Sequence, residues 1–325
     1  MKRQLVALLC AFAALLFSVS PAAAQDYPQH PVTFVVPFPP GAATDLLTRL
    51  LAEELTDKLK QPFVVENKPG AGTLLAAQLV AHSRPDGYTL FMAPVTTLAM
   101  NPNVYKNLPY DPVKDFAPIG LVGSAQFVLV ANPGLGAKTL PDLIALLKSK
   151  PPGTFSYGTS GAGTPHHFFM AMFMKMTGLQ MQHVPYRGSV AALTDLAGGQ
   201  IPVMIVDLQP AMPLLQDGKI KAYGVTAATR AKAAPDIPTL AEAGLPGFAA
   251  SGWFSVVARA GTPKPIIDKI SQVLIAYLKR PQVQDRLTAA AIAPLSSTPE
   301  ELEKFIATET VKWAKVAHDA GIEPQ

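Results

Sequence analysis

The chain has 325 residues, 49% of them hydrophobic and 15% charged, with 27 Lys and Arg against 23 Asp and Glu for a formal net charge of +4. That length accommodates two domains of ordinary size, each with its own core. The small basic excess forms no Lys/Arg block and no basic stripe with interleaved aromatics, which excludes nucleic-acid binding, and a single cysteine excludes a disulfide framework.

The N-terminus reads as an address. Lys2 and Arg3 precede an apolar run from Leu5 to Phe17, and Ala22-Ala23-Ala24 offers small residues for cleavage before Gln25. This is the pattern of a cleaved secretory signal over residues 1–24, too short for a membrane span, and it predicts a periplasmic location. Cys10 lies inside it and follows Leu8-Leu9, a poor context for lipid attachment. Losing Lys2 and Arg3 takes the formal charge from +4 to +2 and leaves a mature chain without a thiol.

The first folded stretch organises the rest. Val32 to Val36 is a β-branched and aromatic run, broken by Pro37, Pro39, Pro40 and Gly41. It passes into a helix whose apolar stripe is Leu46, Leu47, Leu50, Leu51, Leu55 and Leu59. A strand that turns sharply into a helix leaves the first helical N–H groups without partners, and in an α/β sheet these lie where ligands bind. Such a turn is either an ordinary connection or an anion site. The design recurs: strand Phe63 to Glu66, turn Pro69-Gly70-Ala71-Gly72-Thr73, helix from Leu74. A third strand, Tyr88 to Met92, ends at Thr96 and Thr97, whose hydroxyls suit a helix N-cap. Three such junctions predict a parallel sheet with its loops along one edge.

From Phe116 to Ala131 the chain reads as extended and crosses into a second lobe. The pattern then restarts with a helix from Thr139 to Lys150, a strand near Thr154 to Tyr157, and the loop Gly158 to Thr164. The following helix opens on Pro165 and carries Phe168, Phe169, Met172, Phe173 and Met176, read as core packing. Strand Met181 to Val184 leads through Pro185 to Ser189 into another helix, and strand Val203 to Val206 ends on Asp207. After the strand Ala222 to Thr226 and a Pro/Gly-rich segment, Trp253 to Val257 is the return crossing. Three helices, Pro263 to Leu278, Pro281 to Ala290 and Pro299 to Asp319, close the chain. The reading is α/β, a two-lobed periplasmic-binding-protein fold (type II-like), with the ligand cleft between lobes and two crossing hinge strands. Lobe one is residues 25–124 plus 249–325 and lobe two is 125–248. A chain that crosses twice builds a hinge.

Catalytic and metal motifs are weak. Gly158-Thr159-Ser160-Gly161-Ala162 resembles the G-x-S-x-G nucleophile elbow, but Ala162 stands in the last glycine's place. Ser160 with nearby His166 or His167 could serve a secreted hydrolase; equally, glycines and hydroxyls make an anion loop. Gly70-Ala71-Gly72 lacks the third glycine of a dinucleotide fingerprint. The histidines at 30, 82, 166, 167, 183 and 318 show no zinc spacing, so neither metal nor cofactor is expected. Asp207, at the end of an apolar strand, is a helix cap or a ligand contact.

Across the mature chain the residues resemble the Bug-type solute-binding proteins of tripartite tricarboxylate transporters. The likeness is carried by Val35 to Gly41 with Asp45, by Val65-Glu66-Asn67-Lys68-Pro69-Gly70-Ala71-Gly72 and by Pro85-Asp86-Gly87-Tyr88-Thr89-Leu90. It continues in His183-Val184-Pro185-Tyr186-Arg187-Gly188, Asp195 to Gly199, Pro238 to Gly244, Pro263-Lys264-Pro265-Ile266 and Lys312-Trp313-Ala314-Lys315-Val316. The resemblance implies a monomeric receptor that closes on a small carboxylate and delivers it to membrane permease subunits. A sensory protein that presents its closed form to a receptor is the variant of that role. In that family backbone N–H groups, hydroxyls and ordered waters hold the carboxylates. Two departures are Ala42 and Thr73, where the family has glycine; a methyl at Ala42 would narrow the approach, and Thr73 would add a hydroxyl. The expected contacts are Phe38 (as an apolar lid), Pro40, Gly41, Ala42, Ala43, Gly70, Ala71, Gly72, Thr96 and Thr97 from lobe one. Lobe two would add Thr159, Ser160, Thr164, His166 and Asp207.

Overall fold

A computed structural model describes residues 27–41 and 43–324; the leader predicted over 1–24 and the expected contact Ala42 lie outside the described residues. Strand β1 (Val32–Val36) is apolar on both faces and almost wholly buried, as an interior strand covered on two sides must be. It pairs in parallel with β2 (Phe63–Asn67) and β3 (Thr89–Pro94). Helix α1 (Ala43–Leu59) links β1 to β2 and buries Leu47, Leu50, Leu51 and Leu55, none more than 2% exposed. At about 1.5–3 kcal/mol for each such side chain, this stripe outweighs any helix propensity term. A 3-10 turn, Ala71–Thr73, and helix α2 (Leu74–Ala81) link β2 to β3.

The helix expected after β3 is instead a π turn, Thr96–Met100, running into a 3-10 turn, Asn101–Asn103. Pro102 lacks the N–H that α-type bonding needs there, and the Thr97 hydroxyl turns inward to Thr73 rather than capping. Strands β4 (Phe116–Ala125), β10 (Gly252–Arg259) and β11 (Ile292–Pro294) complete a six-stranded sheet of order β11-β4-β10-β3-β1-β2. Its β10 runs antiparallel to both β3 and β4. The three-residue β11 carries too short a pattern to be read from sequence.

The second sheet has the order β7-β6-β8-β5-β9. Its strands are β5 (Phe127–Ala131), β6 (Ser156–Thr159), β7 (Gln182–Pro185), β8 (Val203–Asp207) and β9 (Lys221–Val225). β6, β7 and β8 are parallel, and β5 runs against β8 and β9. Helix α3 (Leu140–Lys148) starts with a capping box between Thr139 and Asp142. Helices α4 (Pro165–Thr177), α5 (Ser189–Ala197) and α6 (Leu208–Gln216) follow β6, β7 and β8 in turn.

Only Gln126 separates β4 from β5, so one extended run carries the chain from the first lobe to the second. The return passes from Ala250, whose N–H donates to Thr226 O, into β10 at Gly252. Gly252 pairs with Ala125, and a Cβ there would stand 2.6 Å from the Phe127 ring, so only glycine lets the two crossings touch.

Helices α7 (Lys264–Leu278), α8 (Pro281–Ala289) and α9 (Pro299–Asp319) end the chain. α9 touches both lobes. Its Trp313 stacks on Phe169 of α4 at 5.4 Å and meets Phe168 edge-on at 5.9 Å. The indole N–H groups of Trp253 and Trp313 both donate to Glu309 Oε2 at 2.8 Å, and all three residues are buried. Glu309→Ala strips the acceptor from two buried donors, each costing about 1–3 kcal/mol when orphaned. We expect it to lower the unfolding free energy in urea by roughly 2–4 kcal/mol; a loss under about 0.5 kcal/mol, the size of an ordinary surface change, would show that these buried bonds do not hold the two indoles in place.

Candidate functional site

Because β1, β2 and β3 are parallel in one sheet and β6, β7 and β8 in the other, their six strand-to-helix junctions gather at facing edges. All six line one cavity of about 590 Å³ between the lobes. The first lobe contributes Phe38, Gly41, Ala43 and Thr44, then Gly70 to Thr73, then Val95 and Thr96. The second contributes Ser160, Thr164 and His166, then Gly188 to Val190, then Asp207, Gln209 and Pro210. Phe127, Phe254 and the crossing residues Ala125, Gln126 and Gly252 also line it. No Lys or Arg lines it; His166 and Asp207 are its titratable groups among the described residues. A hollow of similar size, about 620 Å³, lies at the far end of α4 beside Lys175 and Asp319, away from every junction.

Side chains behind each loop hold it in place. In the first, Asp45 Oδ2 accepts from Gly41 N and Arg49 Nε, both at 3.0 Å. Asn67 Nδ2 donates to Asp45 Oδ1 and Phe38 O, both at 2.9 Å. Burial raises the Asp45 carboxyl, but Arg49, the Gly41 amide and Asn67 carry it below the usual carboxylate range. The Gly41 amide, expected to serve a ligand, is therefore already engaged; Gly41 only shapes the wall. The α1 amides that follow have no intrahelical partner.

The second loop is strained. Gly70, Ala71, Gly72 and Thr73 all have positive φ, at 133°, 46°, 60° and 78°. For Ala71 and Thr73 this costs roughly 1–2 kcal/mol each. Buried bonds hold the conformation: Thr73 Oγ1 to Thr97 Oγ1 at 2.7 Å, Asn101 Nδ2 to Gly72 O at 2.9 Å and to Tyr110 Oη at 3.0 Å. Tyr110 Oη in turn donates to Thr97 O at 2.8 Å. The Thr73 hydroxyl thus braces the loop through Thr97, and Thr73 also lines the cavity. Among the described residues nothing accepts from the Ala71 and Gly72 amides.

In the second lobe Ser160 Oγ lies 2.7 Å from His166 Nδ1, and His166 Nε2 lies 3.0 Å from Asp207 Oδ2. A carboxylate only accepts, so Nε2 carries the proton, and in the neutral ring Nδ1 accepts from the Ser160 hydroxyl. Burial raises the Asp207 carboxyl, yet His166, the Asp207 amide and Ser189 bring it below its ordinary value. Asp207 occupies the N-cap position of α6 without a side-chain cap bond. Behind the loop, His167 stacks on His183 at 4.3 Å and accepts from Gly163 N at 3.3 Å; His183 Nε2 lies 2.6 Å from Thr159 Oγ1.

Of the expected contacts, Phe38, Gly41, Ala43, Gly70, Ala71, Gly72, Thr96, Ser160, Thr164, His166 and Asp207 come together around the cavity. Pro40, Thr97 and Thr159 do not line it; Thr97 and Thr159 are fully buried, their hydroxyls bonded within the loops. The sequence marks a strand, glycine, helix junction at Gly188-Ser189, but Gly188, Ser189 and Val190 were not among the expected contacts although they line the cavity. Sequence reasoning also missed Asn101 and Tyr110, for which no local pattern existed.

Residues 47–322 match the profile described as tripartite tricarboxylate transporter family receptor. The chain is 34% identical over 319 residues to Protein BugT of Bordetella pertussis strain Tohama I, covering 98% of each. It superposes on the R. palustris protein Rpa4515, solved with adipate, with a TM-score of 0.83 and 35% identity, over 92% of this chain and 100% of that one. MatC from Rhodopseudomonas palustris, solved with malate, gives a TM-score of 0.77 at 33% identity over 90% of this chain and 100% of that one.

The histidine stack gives the lobe-two loop a pH dependence. Burial and the charge of His183 depress His167 to about 4, and burial lowers His183. A base with a folded pKa below its unfolded value of about 6.5 binds more protons when unfolded, so stability falls as pH drops from about 6.5 to about 4. Asp45 and Asp207 sit below the ordinary carboxylate range and lose their contribution at lower pH still. Urea unfolding of His167→Gln should show a flatter profile between those pH values than the unmodified protein; parallel profiles would contradict this origin.

Proposed function

The chain belongs to the tripartite tricarboxylate transporter receptor family, a group of periplasmic solute-binding proteins, and from that premise we propose that it captures a small organic carboxylate between its lobes and delivers it to the permease of such a transporter. One observation carries the reading: six strand-to-helix junctions surround a single cavity that, among the described residues, no Lys or Arg lines. A carboxylate is then held by oriented amides, and charge-assisted hydrogen bonds contribute about 1.5–3 kcal/mol each. Micromolar affinity needs about 8 kcal/mol, which several such bonds and an apolar floor of Phe127 and Phe254 can supply without a cation. The relatives solved with adipate and malate support this class of ligand. In this reading residues 1–24 are the export signal, residues 25–124 plus 249–325 form lobe one, 125–248 form lobe two, and the receptor acts as a monomer without cofactor.

The Ser160–His166–Asp207 row favours one second reading, a hydrolase. Its ring is reversed relative to the usual order, in which Nε2 faces serine and Nδ1 the carboxylate. The neighbouring amides of Gly161 and Gly163 donate to Thr159 Oγ1 and His167 Nδ1, leaving them unfit as oxyanion donors. We therefore assign the row to positioning the cavity wall.

Thermal denaturation against organic acids, amino acids, sugars and peptides tests the proposal. At least one carboxylate should stabilise the protein in proportion to saturation, by about 2.7 kcal/mol at a hundredfold excess over Kd. Stabilisation by sugars or peptides and by no acid would refute it. Turnover of chromogenic esters that disappears in Ser160→Ala would instead establish the hydrolase.

A further inference from the structure

Val104 and Gly163 bring a loop of each lobe into contact, and neither residue lines the cavity. Val104 follows the 3-10 turn Asn101–Asn103 of lobe one and is buried. Gly163 sits in the lobe-two loop with φ at 73°. A Cβ built on it would stand 3.0 Å from Val104 Cγ1 and 3.3 Å from Cγ2, so only a residue without a side chain lets the lobes come this near. Both halves of the contact are tied to a cavity wall. The Val104 and Tyr105 amides donate to Asn101 O at 3.0 and 3.1 Å, and Asn101 Nδ2 donates to Gly72 O, in the strained loop that lines the cavity. On the other side the Gly163 amide donates to His167 Nδ1. The next residue, Thr164, lines the cavity and is pinned through its hydroxyl to Gly161 O at 2.7 Å.

Close-packed groups transmit a displacement rather than absorb it. Any carbon added between Val104 and Gly163 is therefore felt as extra distance between the Gly70 to Thr73 loop and the loop bearing Ser160 and Thr164. We propose that Val104 and Gly163 form the stop that ends lobe closure, and that this pair, from outside the cavity, fixes the gap a ligand must span and hence the ligand length the receptor prefers. The inference rests on the carboxylate-capture reading and deepens it: the walls supply the donors, and the stop sets the spacing between them. Val104 and Gly163 act as positioning residues, since neither lines the cavity that receives the ligand.

Titration calorimetry of the purified protein with two chain-length series, malonate to suberate and L-aspartate, L-glutamate and L-2-aminoadipate, tests this. Gly163→Ala and Val104→Ile each add one methyl at the contact, from opposite lobes. Each should weaken the acid that the unmodified protein prefers by about fivefold or more and move the preference to a longer member of its series. Val104→Ala placed in the Gly163→Ala background removes the carbons that the new methyl meets, and should return that acid to within about twofold of its original affinity. Weakening by Gly163→Ala that Val104→Ala does not relieve would be strain at a left-handed residue alone, and would overturn the proposal. A Val104→Ile profile identical to that of the unmodified protein would overturn it too, and decides the matter by itself if Gly163→Ala fails to fold. If acids bind and the length preference stays fixed in both variants, the carboxylate reading survives and only this inference falls; if no acid binds, both fall.

Discussion

Parallel strand direction is the constraint on which the rest depends. Six parallel strands in two sheets must each release the chain at a carboxyl edge, and each release starts a helical turn with unpaired amides. Because the sheets face each other across one cavity, those amides converge, and the helix dipoles behind them favour negative charge. That arrangement explains how a chain with so few charged residues could bind an acid: the charge complementarity resides in the backbone. It also explains why proline and glycine crowd these turns, since close approach of main chain to ligand leaves no room for bulky side chains.

Backbone donors are useful only if they are held still, and each loop is held differently. Asp45 and Asn67 fasten the first by an ionic network. The second stays left-handed because Thr73, Thr97, Asn101 and Tyr110 form buried bonds that offset the strain. The lobe-two loop rests on the stacked His167 and His183. The crossings meet at Ala125 and Gly252, and α9 reaches the second lobe where Trp313, held by Glu309, packs on Phe168 and Phe169.

Much of this was legible in the sequence, because strand and helix periodicities survive translation into burial. The Leu47, Leu50, Leu51 and Leu55 stripe and the buried Phe168, Phe169 and Phe173 lie where their spacing puts them. Strand-to-helix junctions were equally visible, since Pro and Gly punctuate them. What could not be read was which hydroxyls and carboxylates face the cavity. Thr97 and Thr159 look like cavity residues by position, yet both are buried away from it and bonded to partners 24 residues away in sequence, Thr73 and His183. Asp45, never among the expected contacts, shows the same limit: its neighbours in sequence reveal nothing of Asn67, to which it is bound across 22 positions. The π turn after β3 escaped for a related reason, its geometry being set by Pro102 and by inward pairing of Thr97.

The most direct measurement is a crystal structure with a stabilising carboxylate bound. The account predicts that its oxygens accept from the amides, hydroxyls and bridging waters of residues 43–44, 70–73 and 95–96, with no Lys or Arg in contact. A carboxylate seated instead beside Lys175 at the far end of α4, or gripped in the cleft by a cationic side chain, would contradict it.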